Sequence, residues 1–128
     1  YKRCVLREET AAAQLAVIEF VNATLKVIFL LNRKYIPYYK WSFRSLKELP
    51  KFSEFYYELE YLISSSNTEK ESKLKEEIIE KISSAIINEL KSQNLTNLSS
   101  KNLESYAYSV NEKIESAEIR NLNIMYAV

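Results

Sequence analysis

The longest apolar run, Ala11 to Leu31, places 16 apolar residues among 21 and predicts a long helix. Its length would span a bilayer. Gln14, Glu19, Asn22, Thr24 and Lys26 interrupt it, however, and charges in mid-span are costly in lipid. Glu19, Asn22 and Lys26 stand three and four residues apart, so they form one polar stripe on an otherwise apolar helix. That pattern predicts a helix at the centre of a bundle, not a membrane span. Asn32 to Pro37 reads as a loop, with Asn32 closing the helix in the role usually filled by glycine. Pro37 turns Ile36 towards extended backbone. A short helix is predicted from Tyr39 to Leu49, stopped by Pro50.

Phe52, Phe55, Tyr56, Leu59, Leu62 and Ile63 recur at helical spacing and predict the buried face of a third helix. Ser64 to Asn67 breaks it. Thr68-Glu69-Lys70-Glu71 has the form of a capping box, with Thr68 at the N-cap and Glu71 at the third helical position. Leu74, Ile78, Ile82, Ile86 and Leu90 follow at intervals of four, joined by Ile79 and Ile87, and carry a helix to about Asn94. Glu69 with Lys73 and Glu77 with Lys81 are helix-supporting pairs. After a polar loop from Asn94 to Ser100, the positions Leu103, Tyr106, Ala107, Val110 and Ile114 predict a last amphipathic helix. Ile119, Leu122, Ile124 and Met125 predict that the tail from Ala117 to Val128 packs back on the body. The pattern describes one all-α domain over residues 1–128, an antiparallel bundle of four to five helices. Apolar residues on both faces of Ala11–Leu31 predict burial against a further surface, either another domain or a second copy.

Composition removes whole classes of chemistry. Among 128 residues there is no Gly, no His and no Asp. An average chain of this length has roughly nine glycines. Gly-rich phosphate loops, dinucleotide fingerprints, His-based acid–base pairs, catalytic triads and EF-hands are all excluded. The single Cys4 has no ligand set for zinc and no base to activate it. One thiol and no signal peptide predict a reducing, cytoplasmic setting, so three Asn-x-Ser/Thr matches (at Asn22, Asn94 and Asn97) are read as chance. The first residue is Tyr and not Met, from which a longer parent product is expected. The net charge of +1 predicts no general attraction to membranes or nucleic acid.

Charge is nonetheless uneven. Residues 33–47 hold Arg33, Lys34, Lys40, Arg44 and Lys47 with no acidic residue, leaving 13 cations against 17 anions elsewhere. The same segment contains Tyr35, Tyr38, Tyr39, Trp41 and Phe43. Lys40, Arg44 and Lys47 would share one helix face, and Trp41 lies one turn from Arg44, where its ring can stack on the guanidinium or on a nucleobase. Two readings follow from the residues: a phosphate-binding surface, or a solvated charged face whose aromatics lie in the core. The Glu19/Asn22/Lys26 stripe divides the same way, between lining a cleft and pairing with neighbouring helices.

The strings Ala12-Ala13-Gln14-Leu15-Ala16, Glu19-Phe20-Val21, Phe29-Leu30-Leu31-Asn32-Arg33-Lys34-Tyr35 and Pro37-Tyr38-Tyr39-Lys40-Trp41 resemble an uncharacterised bacterial helical domain of unknown function. In its parent proteins that domain follows a nucleotidyltransferase domain. Phe43 to Pro50 continues the likeness, and Glu118 to Met125 does so more loosely. The resemblance implies a division of labour. An upstream domain of the polymerase-beta type would hold the nucleoside triphosphate and Mg²⁺, and this helical part, catalytically silent alone, would line the substrate side. Arg33, Tyr35, Lys40, Trp41 and Arg44 would then face the acceptor or the nucleotide phosphates, and Glu19 and Asn22 the acceptor's hydroxyls or amines. The alternative is a structural module, with the same segment docking the upstream domain or a second copy. Helical RNA-acting toxins paired with small nucleotidyltransferases use an Arg followed by a His, which a chain without His does not supply.

Overall fold

A computed structural model describes residues 1–125. The described residues form seven α-helices and no strand: α1 (Lys2–Leu6), α2 (Thr10–Leu31), α3 (Tyr39–Leu46), α4 (Tyr56–Ser64), α5 (Glu69–Ser92), α6 (Leu103–Asn111) and α7 (Ala117–Arg120). A single 3-10 turn, Ser53–Phe55, leads into α4. The all-helical class agrees with the periodicity, but the helices outnumber the four or five expected. The additional α1 and α7 have five and four residues, too few for a hydrophobic period to show. The helices gather into two compact units, Tyr1–Ile82 and a second beginning at Ser83, the division falling inside α5.

In the first unit α2 packs against α1, α3 and α4. Its buried residues Ala13, Val17, Val21, Thr24, Leu25, Ile28 and Leu31 follow helical spacing along one face. The expectation of a helix enclosed at the centre of a bundle is corrected by the opposite face, where Leu15, Ile18, Glu19, Asn22, Ala23, Lys26 and Leu30 are exposed. By length and composition α2 is the one helix among the described residues able to cross a membrane, with 39% of its most apolar window buried in the protein. Leu46, Leu49, Phe52, Phe55, Leu59, Leu62, Ile78 and Ile82 complete the core of this unit. Each such side chain contributes about 1.5–3 kcal/mol by leaving water.

Several boundaries moved. α3 ends at Leu46 and not Leu49: the N–H groups of Glu48 and Leu49 reach back three residues instead of four, to Ser45 O and Leu46 O, a tightened turn ahead of Pro50. Leu49 still turns inward and is buried. Phe52, expected within a third helix, has a left-handed φ of 69° and precedes it. It is buried all the same, its ring stacked on Phe55 with centroids 6.1 Å apart. Ile63, expected to be buried, is exposed.

A chain without glycine must end its helices by other means. The C-terminal motif in which a left-handed residue lets two backbone N–H groups reach back to the last turn occurs three times. Glu8 (φ 58°) closes α1, with Glu9 N–H donating to Cys4 O and Glu8 N–H to Val5 O. Asn94 (φ 57°) closes α5 in the same way onto Leu90 and Lys91. After α2 the left-handed residue is Arg33 (φ 56°), not the expected Asn32. Lys34 N–H reaches Phe29 O at 3.0 Å and Arg33 N–H reaches Leu30 O at 2.9 Å. Asn32 is instead a clasp. Its amide donates to Ile28 O and Lys51 O, and its Oδ1 accepts from Lys51 N–H.

The second unit is held by short-range polar contacts. Thr96, fully buried, shares a hydrogen bond of 2.6 Å with Ser109. The Tyr106 hydroxyl donates to Ser100 O and accepts from Ser100 N–H, and Asn102 caps α6 by accepting from Glu104 N–H. Asn111 and Arg120 tie α7 in, through Arg120 O and Ile114 O. The expected packing of the tail is seen only in part: Arg120 is tied back and Ile124 is half-buried. Ile119, Leu122 and Met125 are more than half exposed, since a four-residue helix offers no continuous apolar face. Residues 126–128 of that expectation lie outside the described residues.

Candidate functional site

The segment 33–47 is built in two parts. Arg33's left-handed backbone turns the chain out of α2, and residues 34–38 run without regular structure into α3. α3 then turns Ser42 and Leu46 inward, which leaves Lys40, Trp41, Arg44 and Lys47 facing out. The candidate residues Arg33, Tyr35, Lys40, Trp41 and Arg44 are all exposed. Tyr35 is 97% exposed, Tyr39 67%, Tyr38 63% and Trp41 50%, so these aromatics do not lie in the core. Within the segment only Phe43 behaves as a core-facing ring, half-buried and edge-on to Tyr56 at 5.7 Å.

Two cation–π contacts organise this surface. The Arg44 guanidinium lies 5.1 Å from the centre of the Trp41 ring, the one-turn pairing expected from their spacing. Lys47 Nζ lies 4.0 Å above the Tyr56 ring. Tyr38 and Tyr39 stand with ring centres 4.5 Å apart.

Glu19 and Asn22 lie on the exposed face of α2 beside Lys26. They do not line a buried cleft. An open depression of about 320 Å³ in the first unit is lined by Val5, Glu8, Thr10, Ala13, Asn67 and Glu69, and by none of the candidate residues. The chain has no Asp, and the described residues hold no group of three Cys or Glu placed to ligate a metal ion.

A polar cluster that the sequence did not single out sits within the same unit. Lys75 on α5 is fully buried. Its ammonium donates to Gln14 Oε1 at 3.0 Å, Ser65 O at 2.9 Å and Asn67 Oδ1 at 3.2 Å. Gln14 also donates to Ile63 O, and Asn67 donates to Thr10 O and accepts from the Tyr1 hydroxyl. Every acceptor of the ammonium is neutral. Burial therefore lowers the Lys75 pKa from the usual lysine range, opposed in part by the charge of Glu71. Burial likewise raises the Tyr1 hydroxyl. Lys75 lies three residues before Ile78 and seven before Ile82, on the buried stripe, but the apolar pattern with Ile78 and Ile82 equally admits Leu74, which is exposed, so spacing alone does not single out the lysine.

The capping box forms as expected. Thr68 Oγ1 donates to Glu71 Oε2 at 2.7 Å and accepts from Glu71 N–H, and Ser66 also donates to that carboxylate. These hydrogen bonds hold Glu71 below its ordinary pKa. Glu69 pairs with Lys73 at 2.8 Å. Lys81, expected to pair with Glu77, pairs with Glu58 of α4 at 2.5 Å.

These features define an all-helical chain with an exposed basic-aromatic surface and a buried polar clasp. Residues 1–42 match a family described as a domain of unknown function (DUF4037). The matched third of the chain holds α1, α2, the turn at Arg33 and the start of α3. It therefore contains Glu19, Asn22, Arg33, Tyr35, Lys40 and Trp41, and stops short of Arg44. Comparison with curated proteins and with solved structures found no match.

Proposed function

We propose that this chain is the substrate-side helical part of a bacterial, cytoplasmic nucleotidyltransferase-like protein, catalytically silent by itself. In this reading an upstream domain of the same protein supplies the nucleoside triphosphate and Mg²⁺ chemistry. Arg33, Tyr35, Lys40, Trp41 and Arg44 hold the acceptor or the nucleotide phosphates by charge-assisted hydrogen bonds and stacking. Glu19 and Asn22, on α2, offer an acceptor and an amide to the substrate's hydroxyls or amines. The observation that carries the reading is exposure: four aromatic side chains that a core would normally claim stand in solvent among five cations and no anion. The absence of Gly, His and Asp agrees with catalysis residing elsewhere.

The test is alanine replacement of Lys40, Trp41 and Arg44 in the parent protein, assayed with nucleoside triphosphates and Mg²⁺. Loss of nucleotidyl transfer with unchanged melting temperature and unchanged assembly supports this function. Unchanged transfer overturns it.

A second reading, docking or dimerisation without a ligand, is favoured by the exposed face of α2. Leu15 and Leu30 are each 65% exposed there, flanking Glu19, Asn22 and Lys26. Under that reading the substitutions on α3 leave transfer intact, and Leu15→Lys with Leu30→Lys dissolves the complex, seen by sedimentation.

A further inference from the structure

The basic-aromatic surface has a shape as well as a composition. Small-molecule sites are concave and bury most of the ligand. Here the side chains project: Tyr35 is almost wholly exposed, and none of residues 33–47 lines the depression in this unit. The surface therefore suits an extended partner laid across it more than a nucleotide enclosed by it.

The order of the residues narrows the partner. Cations and rings are interspersed, as Arg33-Lys34-Tyr35 in the irregular stretch and Tyr39-Lys40-Trp41 at the start of α3. Lys40, Arg44 and Lys47 then continue along the outer face of α3. From Lys40 to Lys47 the helix rises about 10 Å at about 1.5 Å per residue. A protein-binding centre would instead be expected to gather aliphatic and aromatic groups into a desolvated patch with charges at its rim. Rings interspersed with cations, as Tyr35 beside Lys34 and Tyr39 and Trp41 on either side of Lys40, match the stacking platforms and phosphate contacts of single-strand binding surfaces. Trp41 is already stacked by Arg44 and keeps half its surface open.

We propose that residues 33–47 form a platform for single-stranded nucleic acid, with Tyr35, Tyr38, Tyr39 and Trp41 stacking on bases and Lys40, Arg44 and Lys47 contacting phosphates. The net charge of +1 does not oppose this, because all five cations of the segment are concentrated on it and the compensating −4 is spread over the rest of the chain. The proposal deepens the function above by naming the class of acceptor, and rests on it only for that name. Binding itself needs no transferase activity.

The 128-residue chain contains one tryptophan, so Trp41 emission reports on this surface directly. The chain is titrated with dodeca-uridylate while Trp41 emission and the anisotropy of a fluorescein-labelled copy of the oligonucleotide are followed. Expected are quenching and a log–log salt slope between about −2 and −3.5, from three to five phosphate contacts at about −0.7 each. Lys40→Ala with Arg44→Ala should lower the affinity at least tenfold, and Tyr39→Ala at least fivefold, with helicity by circular dichroism unchanged. Equal affinity for duplex RNA, for uridine monophosphate, for polyglutamate or for anionic vesicles overturns the proposal, as does the absence of quenching at low salt. If oligonucleotide binding fails while the α3 substitutions in the parent protein still abolish transfer, the substrate-side reading stands and only the acceptor class is wrong.

Discussion

Lys75 and Gln14, 61 residues apart in sequence, meet inside the first unit with the ammonium 3.0 Å from the amide oxygen. The contact joins α5 to the first turns of α2. It is one of three that leave a buried cation surrounded by neutral acceptors, with no carboxylate among them. A buried ammonium is retained only where its donors are satisfied, and no buried side-chain polar atom among the described residues lacks a partner.

Removing the charge while keeping the length therefore tests the clasp. In Lys75→Met, Gln14 Oε1 and Asn67 Oδ1 keep other donors (Asn67 Nδ2 and the Tyr1 hydroxyl), but Ser65 O loses the side-chain donor recorded for it. The expected cost is about 1–3 kcal/mol, set by the half-buried Ser65 carbonyl that loses its donor. Urea unfolding checks it. Lys75→Ala should cost more, because the cavity adds to the lost hydrogen bonds.

The same residue makes stability depend on pH. The folded pKa of Lys75 is lowered, so in the window between it and the unfolded value of 10.5 the unfolded chain binds more protons. Lys75 therefore makes stability rise with pH across that window. Tyr1 acts in the opposite sense. Its folded pKa is raised, so the stability it contributes is present below 10.0 and lost as pH climbs through the folded value. Comparing wild type with Lys75→Met isolates the lysine: the difference in unfolding free energy between the two should change with pH below 10.5. Parallel curves would sink the assignment.

Arg33 combines two demands at one position. Its backbone is left-handed at φ 56°, where a residue with a Cβ pays about 1–2 kcal/mol relative to glycine. Glycine would return part of this through unfolded-chain flexibility, about 0.5–1 kcal/mol. Arg33→Gly should therefore be more stable than Arg33→Ala, which keeps the Cβ, by up to about 1 kcal/mol in thermal or urea unfolding. Both variants should weaken oligonucleotide binding by removing a cation. A glycine variant more stable than the alanine variant shows that the arginine is kept against the local backbone preference.

How far the sequence could be read follows from the range of the forces involved. Features written within one turn were legible: the Thr68–Glu71 cap, the Glu69–Lys73 pair, the Trp41–Arg44 stack and the helical course of α2. Features that depend on which face meets a distant element were not. Leu74 and Lys75 are adjacent, and periodicity favours the leucine as core, yet the acceptors at Gln14, Ser65 and Asn67 bury the lysine. Lys81 left its helical neighbour Glu77 for Glu58 on another helix. The candidate site was readable as a run of residue types, whereas its exposure was not, because aromatic residues alone do not say whether they face core or solvent.

The cap at the start of α5 gives the most local prediction. Thr68 occupies the N-cap and exchanges hydrogen bonds with Glu71, whose carboxylate also accepts from Ser66. Thr68→Ala removes the side-chain acceptor for the Glu71 N–H and should cost about 1 kcal/mol. Thr68→Ser keeps the oxygen and should cost much less. Since Glu71 is held below its ordinary pKa, the stability tied to its charge is present above about 4.5 and lost as pH falls through the folded value. The cost of Thr68→Ala should accordingly shrink in acid, once the carboxylate is protonated in both chains. If the deficit is the same at pH 3 and pH 7, the hydroxyl acts on the Glu71 N–H alone and its own hydrogen bond to the carboxylate contributes nothing.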